Sequence, residues 1–221
     1  MSEMPSPAAL GRQVRQILAN REIRGTLAAI EAAGGAARYL SVDVTDVDGM
    51  AGALAGVREL WGPITGVIHG AGVIADKLIA EKSAEDFDWV FHTKVGGLVA
   101  LLDATRNDPL RALVMFSSVA ARCGNRGQVD YAMANEVLNK VAQAESTRRG
   151  SAVRSLGWGP WEGGMVSPQL KAHFETLGVT LIPLKEGAEM LVDELREGAD
   201  RVELVLGGAP RAEALMSEGT E

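Results

Sequence analysis

The sequence predicts an α/β protein: a doubly wound, mostly parallel sheet covered by helices on both faces. Three observations carry this. Helical and strand periods alternate along the chain with short turns between them, the order that builds a parallel sheet. Nearly half of the 221 residues (47%) are hydrophobic, with few aromatics, a mixture suited to packed helices and buried strands. The segments rich in polar and glycine residues, "HGAG", "SS" and "GWGPWEGGM", each follow a strand-like run, where ligands of such sheets bind.

The elements follow in order. Leu10, Val14, Ile17, Leu18, Leu27 and Ile30 recur at helical spacing, and Gly34 and Gly35 end that helix. "ARYLSVDV" reads as the first of five strands, and Asp46 opens a helix through Leu60. "ITGVIHGAG" is a short buried strand running into a glycine turn, followed by a helical region over Ser83 to Thr105 and the strand "ALVMFSS". Gln128 to Arg149 is helical, "AVRSLGW" is a strand, Glu186 to Arg196 is an amphipathic helix and "VELVL" is the last strand. The chain reads as a single domain over residues 1–221, with frayed ends at 1–9 and 210–221.

Charge and composition exclude several classes. A net charge of −7 argues against nucleic acid, whose phosphates need clustered Lys and Arg. One cysteine, Cys123, rules out an internal disulfide and gives no sign of an oxidising compartment. No apolar run reaches the ~20 residues of a membrane helix. His69, His92 and His173 show no metal-ligand spacing. The expectation is a soluble cytoplasmic protein without a metal.

The stretch "GQVDYAMANEVLNK" places Tyr131 near the start of a helix, with Asn135 four residues on. Nucleotide-dependent reductases of the short-chain type put a Tyr and a Lys at that spacing on one helix face. Among the six lysines, Lys94 in "DWVFHTKVGGLVALL" lies on the helix that packs beside the one bearing Tyr131 in a doubly wound sheet, so its ammonium approaches from the opposite side. Lys94, Ser118, Tyr131 and Asn135, with "FSSVAARCGNRGQVDYAMAN" and "LGWGPWEGGM", resemble the β-ketoacyl reductase domains of polyketide synthases, which carry this exchanged Lys/Asn pair. "ILANREIRGTLAAIEAAGGAARYLSVDVTD" is similar to the reductases of polyunsaturated-fatty-acid synthases. The resemblance covers roughly Ile17 to Gly208 and implies a Rossmann-like fold of the short-chain dehydrogenase/reductase type.

The chemistry of the four residues agrees with it. Hydride transfer to a ketone leaves charge on oxygen, which needs a proton and hydrogen bonds. Tyr131 gives the proton; a phenol of pKa ~10 benefits from a cation that favours phenolate. Lys94 supplies that cation, Ser118 bonds the carbonyl, and Asn135 holds Lys94 or a relay water. The resemblance further implies NADPH, with contacts at Asp43, Val44, Gly70, Ala71, Gly72, Lys94, Tyr131, Gly159, Pro160 and Met165. Asp43 reads equally as a cap near Thr45 and Asp46, and His69 as a packed or capping residue. The loop Gly163–Met165 begins a lid over substrate, while Trp158 and Trp161 read as structural rings in it. Asp76 and Trp161 are the residues expected to bear on substrate and stereochemistry, Asp76 pointing to a D-configured alcohol. Cys123 stands eight residues before Tyr131, where reductases of the opposite outcome carry Trp.

A glycine-rich phosphate turn is missing. "GAGVIA" and "GWGPWE" each lack the last Gly of G-x-G-x-x-G, and neither lies between an opening strand and a helix. Against the family, the first two strands and first helix would precede Leu10. The fold is therefore expected to lack them and to need an upstream segment or a complementing chain, because unpaired strand edges invite pairing. Two functions follow: NADPH-dependent reduction of a β-ketoacyl thioester on an acyl carrier protein, beside other synthase domains, or a non-catalytic half-domain that completes a reductase fold.

Overall fold

The structure, a computed structural model, describes residues 6–166, 168–176, 178–196 and 201–207. It divides into two compact units, residues 1–42 and 43–221.

The first unit is one helix and the segment after it. Helix α1 spans Pro7–Ala32: the Ser6 side chain accepts from the Ala9 amide at 3.3 Å, and proline stands in the first turn, where its missing N–H is harmless. The helix therefore starts three residues earlier than the apolar spacing marks. Gly34, at φ 83°, ends it, a conformation that glycine adopts without strain. The stripe Leu10, Val14, Ile17 and Leu18 is exposed. The expected first strand, "ARYLSVDV", is absent: residues 37–44 join no ladder. Its residues suit a strand, but a strand exists only through hydrogen bonds to a neighbour, and none of the described strands pairs with it.

The second unit holds the sheet, so among the described residues four parallel strands stand where five were expected: β1 (Gly66–His69), β2 (Ala112–Ser118), β3 (Ala152–Trp158) and β4 (Glu203–Leu206), in that spatial order. Around them run α2 (Val47–Trp61), α3 (Ala84–Phe91), a π-helical turn (His92–Gly96), α4 (Gly97–Ala104), a short α5 (Ala120–Cys123), α6 (Val129–Arg148), α7 (Pro168–Thr176) and α8 (Leu184–Arg196). Asp46 caps α2 through the Gly49 amide, and Ser83 and Asp86 form a reciprocal capping box on α3.

The period of two along β2 sorts its side chains to both faces. Leu113 and Met115 pack with Leu98 of α4, Leu138 and Ala142 of α6 and Val153; Val114 packs with Leu156, Trp158, Ile182 and Leu204, with Met190 and Leu191 of α8 against them. Helices thus cover both faces, as expected for a parallel sheet. Helix α6 is pinned to the sheet by polar groups as well: the Ser117 hydroxyl donates to the Asn135 carbonyl at 3.1 Å, and the Ser155 hydroxyl to Asn139 Oδ1 at 2.7 Å. Strand β1 is an edge, and Ile68 on it is 54% exposed. Among the described residues no helix is long and apolar enough to cross a membrane.

One contact in this core has a measurable consequence. Gly187 in the first turn of α8 lies flat against the Trp161 ring, so a Cβ there would fall 2.8 Å from Cζ2 and closer still to Cη2 and Cζ3. The ring is held edge-on to Trp158, centroids 4.8 Å apart, and has little room to give. Gly187→Ala is expected to destabilise by about 1–3 kcal/mol through overpacking, measured by denaturant unfolding.

Candidate active site

The carboxyl ends of β1, β2 and β3 open into "GAG" (Gly70–Gly72), Ser118 and Gly159–Pro160. Over them stand the first turn of α6, which carries Tyr131, and the π-helical turn, which carries Lys94. Helices α3 and α6 pack together, as the doubly wound order predicts, and so do the π-helical turn and α6.

Lys94 is 3% exposed. Its ammonium donates to the Ala71 carbonyl at 3.2 Å and lies 5.7 Å from the centroid of the Tyr131 ring, within cation–π range. Burial lowers its pKa to about 8. The backbone beneath it is unusual: the Gly97 amide bonds the His92 carbonyl five residues back. Such π turns in helices cluster at functional sites. His69, 1% exposed, holds this turn, with its Nε2 2.8 Å from the Lys94 carbonyl. Burial lowers the imidazole pKa to about 4, so the ring is neutral; because a carbonyl only accepts, Nε2 carries the proton. His69 is thus packed, as one of its two expected roles has it, and it fixes the carbonyl of the residue whose side chain meets Tyr131.

Tyr131 lies beside the side chains of Ser118 and Asn135. Its pKa is raised, chiefly by burial; Ser118 and Asn135 pull it down and the Asp76 carboxylate pushes it up. At neutral pH it is a phenol with a proton to give. Ser118 Oγ also accepts from the Ala120 amide at 3.1 Å. Asn135, wholly buried, donates through Nδ2 to the Tyr131 carbonyl at 2.8 Å, while its Oδ1 is buried without a hydrogen-bond partner among the described residues. The direct hydrogen bond of Lys94 is to Ala71 rather than to Asn135. The four expected residues therefore come together, from the π-helical turn, the end of β2 and the start of α6.

The surrounding positions fall in place unequally. Gly72 borders the ammonium: a Cβ there would sit 3.1 Å from Lys94 Nζ and 3.6 Å from Met165 Cε, so the bare backbone leaves the ammonium room beside the start of the expected lid. Val44 packs against Gly97, with His69 alongside. Asp43 folds into a local turn, Oδ1 accepting from both the amide and the hydroxyl of Thr45 at 2.9 and 2.8 Å, three residues before the cap of α2 at Asp46. Gly159 bonds through its amide to the Leu206 carbonyl, and the Pro160 carbonyl accepts from Ile182. The Trp161 ring packs on Trp158 and Gly187. Asp76 accepts from Gln128 Nε2 at 2.8 Å. Sequence reasoning missed one feature beside the site, a buried ion pair between Lys82 and Asp130; its partners are 48 residues apart and neither stands in a local pattern.

A parallel sheet with a Ser–Tyr–Lys–Asn cluster at the carboxyl ends of its strands defines an oxidoreductase of the short-chain dehydrogenase/reductase class. Residues 8–163 match the KR domain family, and the chain belongs to that family. It is 43% identical over 204 residues to one of the subunits of the polyunsaturated fatty acid synthase of Thraustochytrium sp., a match covering 92% of this chain and 7% of that protein. It resembles a crystal structure of an N-terminal ketoreductase from the macrolactin assembly line with a TM-score of 0.75 and 27% identity, covering 90% of this chain and 39% of that one. A short-chain dehydrogenase from Burkholderia cenocepacia J2315 in complex with NADP, at 20% identity, shares the fold with a TM-score of 0.73, covering 86% of this chain and 82% of that one. The chain thus spans a small part of the multidomain synthase and under half of the macrolactin ketoreductase chain.

Proposed function

We propose that this chain reduces the ketone of a β-ketoacyl thioester, carried on an acyl carrier protein, to the β-hydroxyacyl thioester with NADPH, beside other domains of a polyketide or fatty-acid synthase in the cytoplasm. On this reading residues 1–221 act as one ketoreductase-type domain, a view supported by a KR match that runs across residues 8–163.

One observation carries the reading: a buried ammonium lies over the ring of a phenol that stands beside a serine hydroxyl. Charge is expensive to bury, and a purely structural module gains nothing from holding an ammonium with one carbonyl partner. That argues against the half-domain reading.

The residues present fit the nicotinamide end of the cofactor, while the glycine-rich turn that would hold its phosphates is missing from the sequence. Gly70, Ala71 and Gly72 offer bare backbone, and Lys94 keeps donors beyond the one that Ala71 takes. Asn135 Oδ1 is a buried acceptor in want of a donor. When bound, NADPH supplies the hydride to the carbonyl carbon. Ser118 then donates to the carbonyl oxygen, Tyr131 gives that oxygen its proton, and the Lys94 cation favours the phenolate left behind. Asp76 faces Tyr131 closely enough to raise its pKa and is the group expected to bias the product toward the D-alcohol.

The test is a titration with NADPH, followed by cofactor fluorescence, of the 221-residue chain alone and together with a segment that supplies the missing phosphate turn, and then addition of a short β-ketoacyl thioester. Saturable binding and thioester-dependent loss of nicotinamide absorbance are expected once the turn is supplied. Absence of cofactor oxidation in that folded, completed sample overturns the proposal.

A further inference from the structure

The Lys82–Asp130 ion pair is more deeply buried than any other beside the site. The two side chains are 3% and 1% exposed, and the ammonium reaches Asp130 Oδ2 at 2.8 Å. The same ammonium donates to the Ala75 carbonyl at 2.6 Å, and Asp130 Oδ1 accepts from the Tyr131 amide at 2.9 Å. One cation therefore links the residue before Asp76 to the residue before Tyr131. Two further bonds run in parallel: Gln128 Nε2 to Asp76 Oδ2 at 2.8 Å, and the Lys77 amide to the Gly127 carbonyl at 3.1 Å. Residues 75–77 are thus laced to residues 127–130 around one buried ion pair.

This arrangement is poorly explained as a stabilising device. A buried ion pair roughly breaks even against apolar residues of similar size, and its attested use is to fix register. Helix α6 makes the need plain, because Gln128 at its N-cap supplies no side-chain bond to the first turn. Asp130 does, and in doing so it ties the Tyr131 backbone to the loop that carries Asp76.

We propose that Lys82 and Asp130 are positioning residues that set the separation between Asp76 and Tyr131, and through it the face on which a ketone is presented. The inference rests on the ketoreductase reading. Neither residue touches the reacting atoms; both act through their neighbours in sequence.

The test uses the neutral double variant Lys82→Met/Asp130→Asn, which leaves no charge buried without its partner. Two quantities are read against wild type: the ratio of the two β-hydroxyacyl enantiomers formed from a β-ketoacyl thioester, and the hydrogen-exchange protection of the Lys77 amide. Since displacements of about 1 Å alter reaction rates strongly, the enantiomer ratio is expected to fall about tenfold, with kcat reduced more than KM changes. The Lys77 amide is expected to exchange faster, while the amides of β2 stay protected. Conservative replacement by Lys82→Arg is expected to restore part of the ratio. A folded double variant with an unchanged ratio overturns the proposal, and so does a changed ratio with unaltered Lys77 exchange, since the tether is then not the route. Failure of the wild-type chain to reduce any ketone is a separate outcome: it removes the ketoreductase reading and the positioning role with it.

Discussion

Tyr131→Phe reduces ketone turnover by about 10²–10⁴-fold, the span expected for losing a positioned general acid, and leaves NADPH binding within a few-fold. The asymmetry follows from the geometry. Phenylalanine keeps the ring over which the Lys94 ammonium lies. It removes only the hydroxyl beside Ser118. Ser118 Oγ retains the Ala120 amide, so it is not left stranded. The measurement is kcat and KM for a β-ketoacyl thioester alongside a fluorescence titration of cofactor. Turnover that survives the replacement assigns the proton to another group. Ser118→Ala offers the companion measurement: it removes one donor to the developing oxyanion, with a loss on the order of 10²–10³ in kcat.

Several of these residues were legible in the sequence because the helix period is local. Tyr131 and Asn135 share one face at a spacing of four, and the position of Lys94 followed once its helix was known to pack beside theirs. The boundaries of α2 and α3 were legible for a similar reason, since Asp46 and Ser83 cap through residues three positions away. What lay beyond reach was set by partners distant in sequence. "ARYLSVDV" has strand composition and joins no ladder, because pairing belongs to the neighbour and not to the segment. The π-helical turn under Lys94 depends on His69, 25 residues earlier, and no period in residues 92–96 announces it. Helix α7 lies just past the expected lid and was not anticipated. The Lys82–Asp130 pair joins two ordinary-looking positions across 48 residues.

Lys94→Met is expected to separate stability from activity. The ammonium sits at a pKa of about 8 against its ordinary 10.5, so the folded state disfavours the charge by on the order of 3 kcal/mol. The sign follows from proton counts. Between about 8 and 10.5 the unfolded chain holds the proton that the folded chain has released, and stability from this group rises with pH across that window. Below about 8 both states are protonated and the whole penalty is present. Methionine has nearly the volume of lysine without the charge, and it forfeits only the bond to the Ala71 carbonyl, worth about 1 kcal/mol. The variant is therefore expected to melt higher at pH 7 by roughly 2–8 °C, given about 2–4 °C per kcal/mol for a chain of this size, with the advantage shrinking as pH passes 8. Turnover moves the other way. Loss of the cation that favours the Tyr131 phenolate lowers kcat on the order of 10²–10³. It is also expected to remove the high-pH limb that release of the Lys94 proton near pH 8 predicts for wild type. Thermal melts and kcat profiles across pH 6–10 read both effects on the same preparations. A variant that is less stable at pH 7 and equally active would show a lysine that supports the fold; one more stable and slow shows a charge that the fold tolerates because the chemistry needs it.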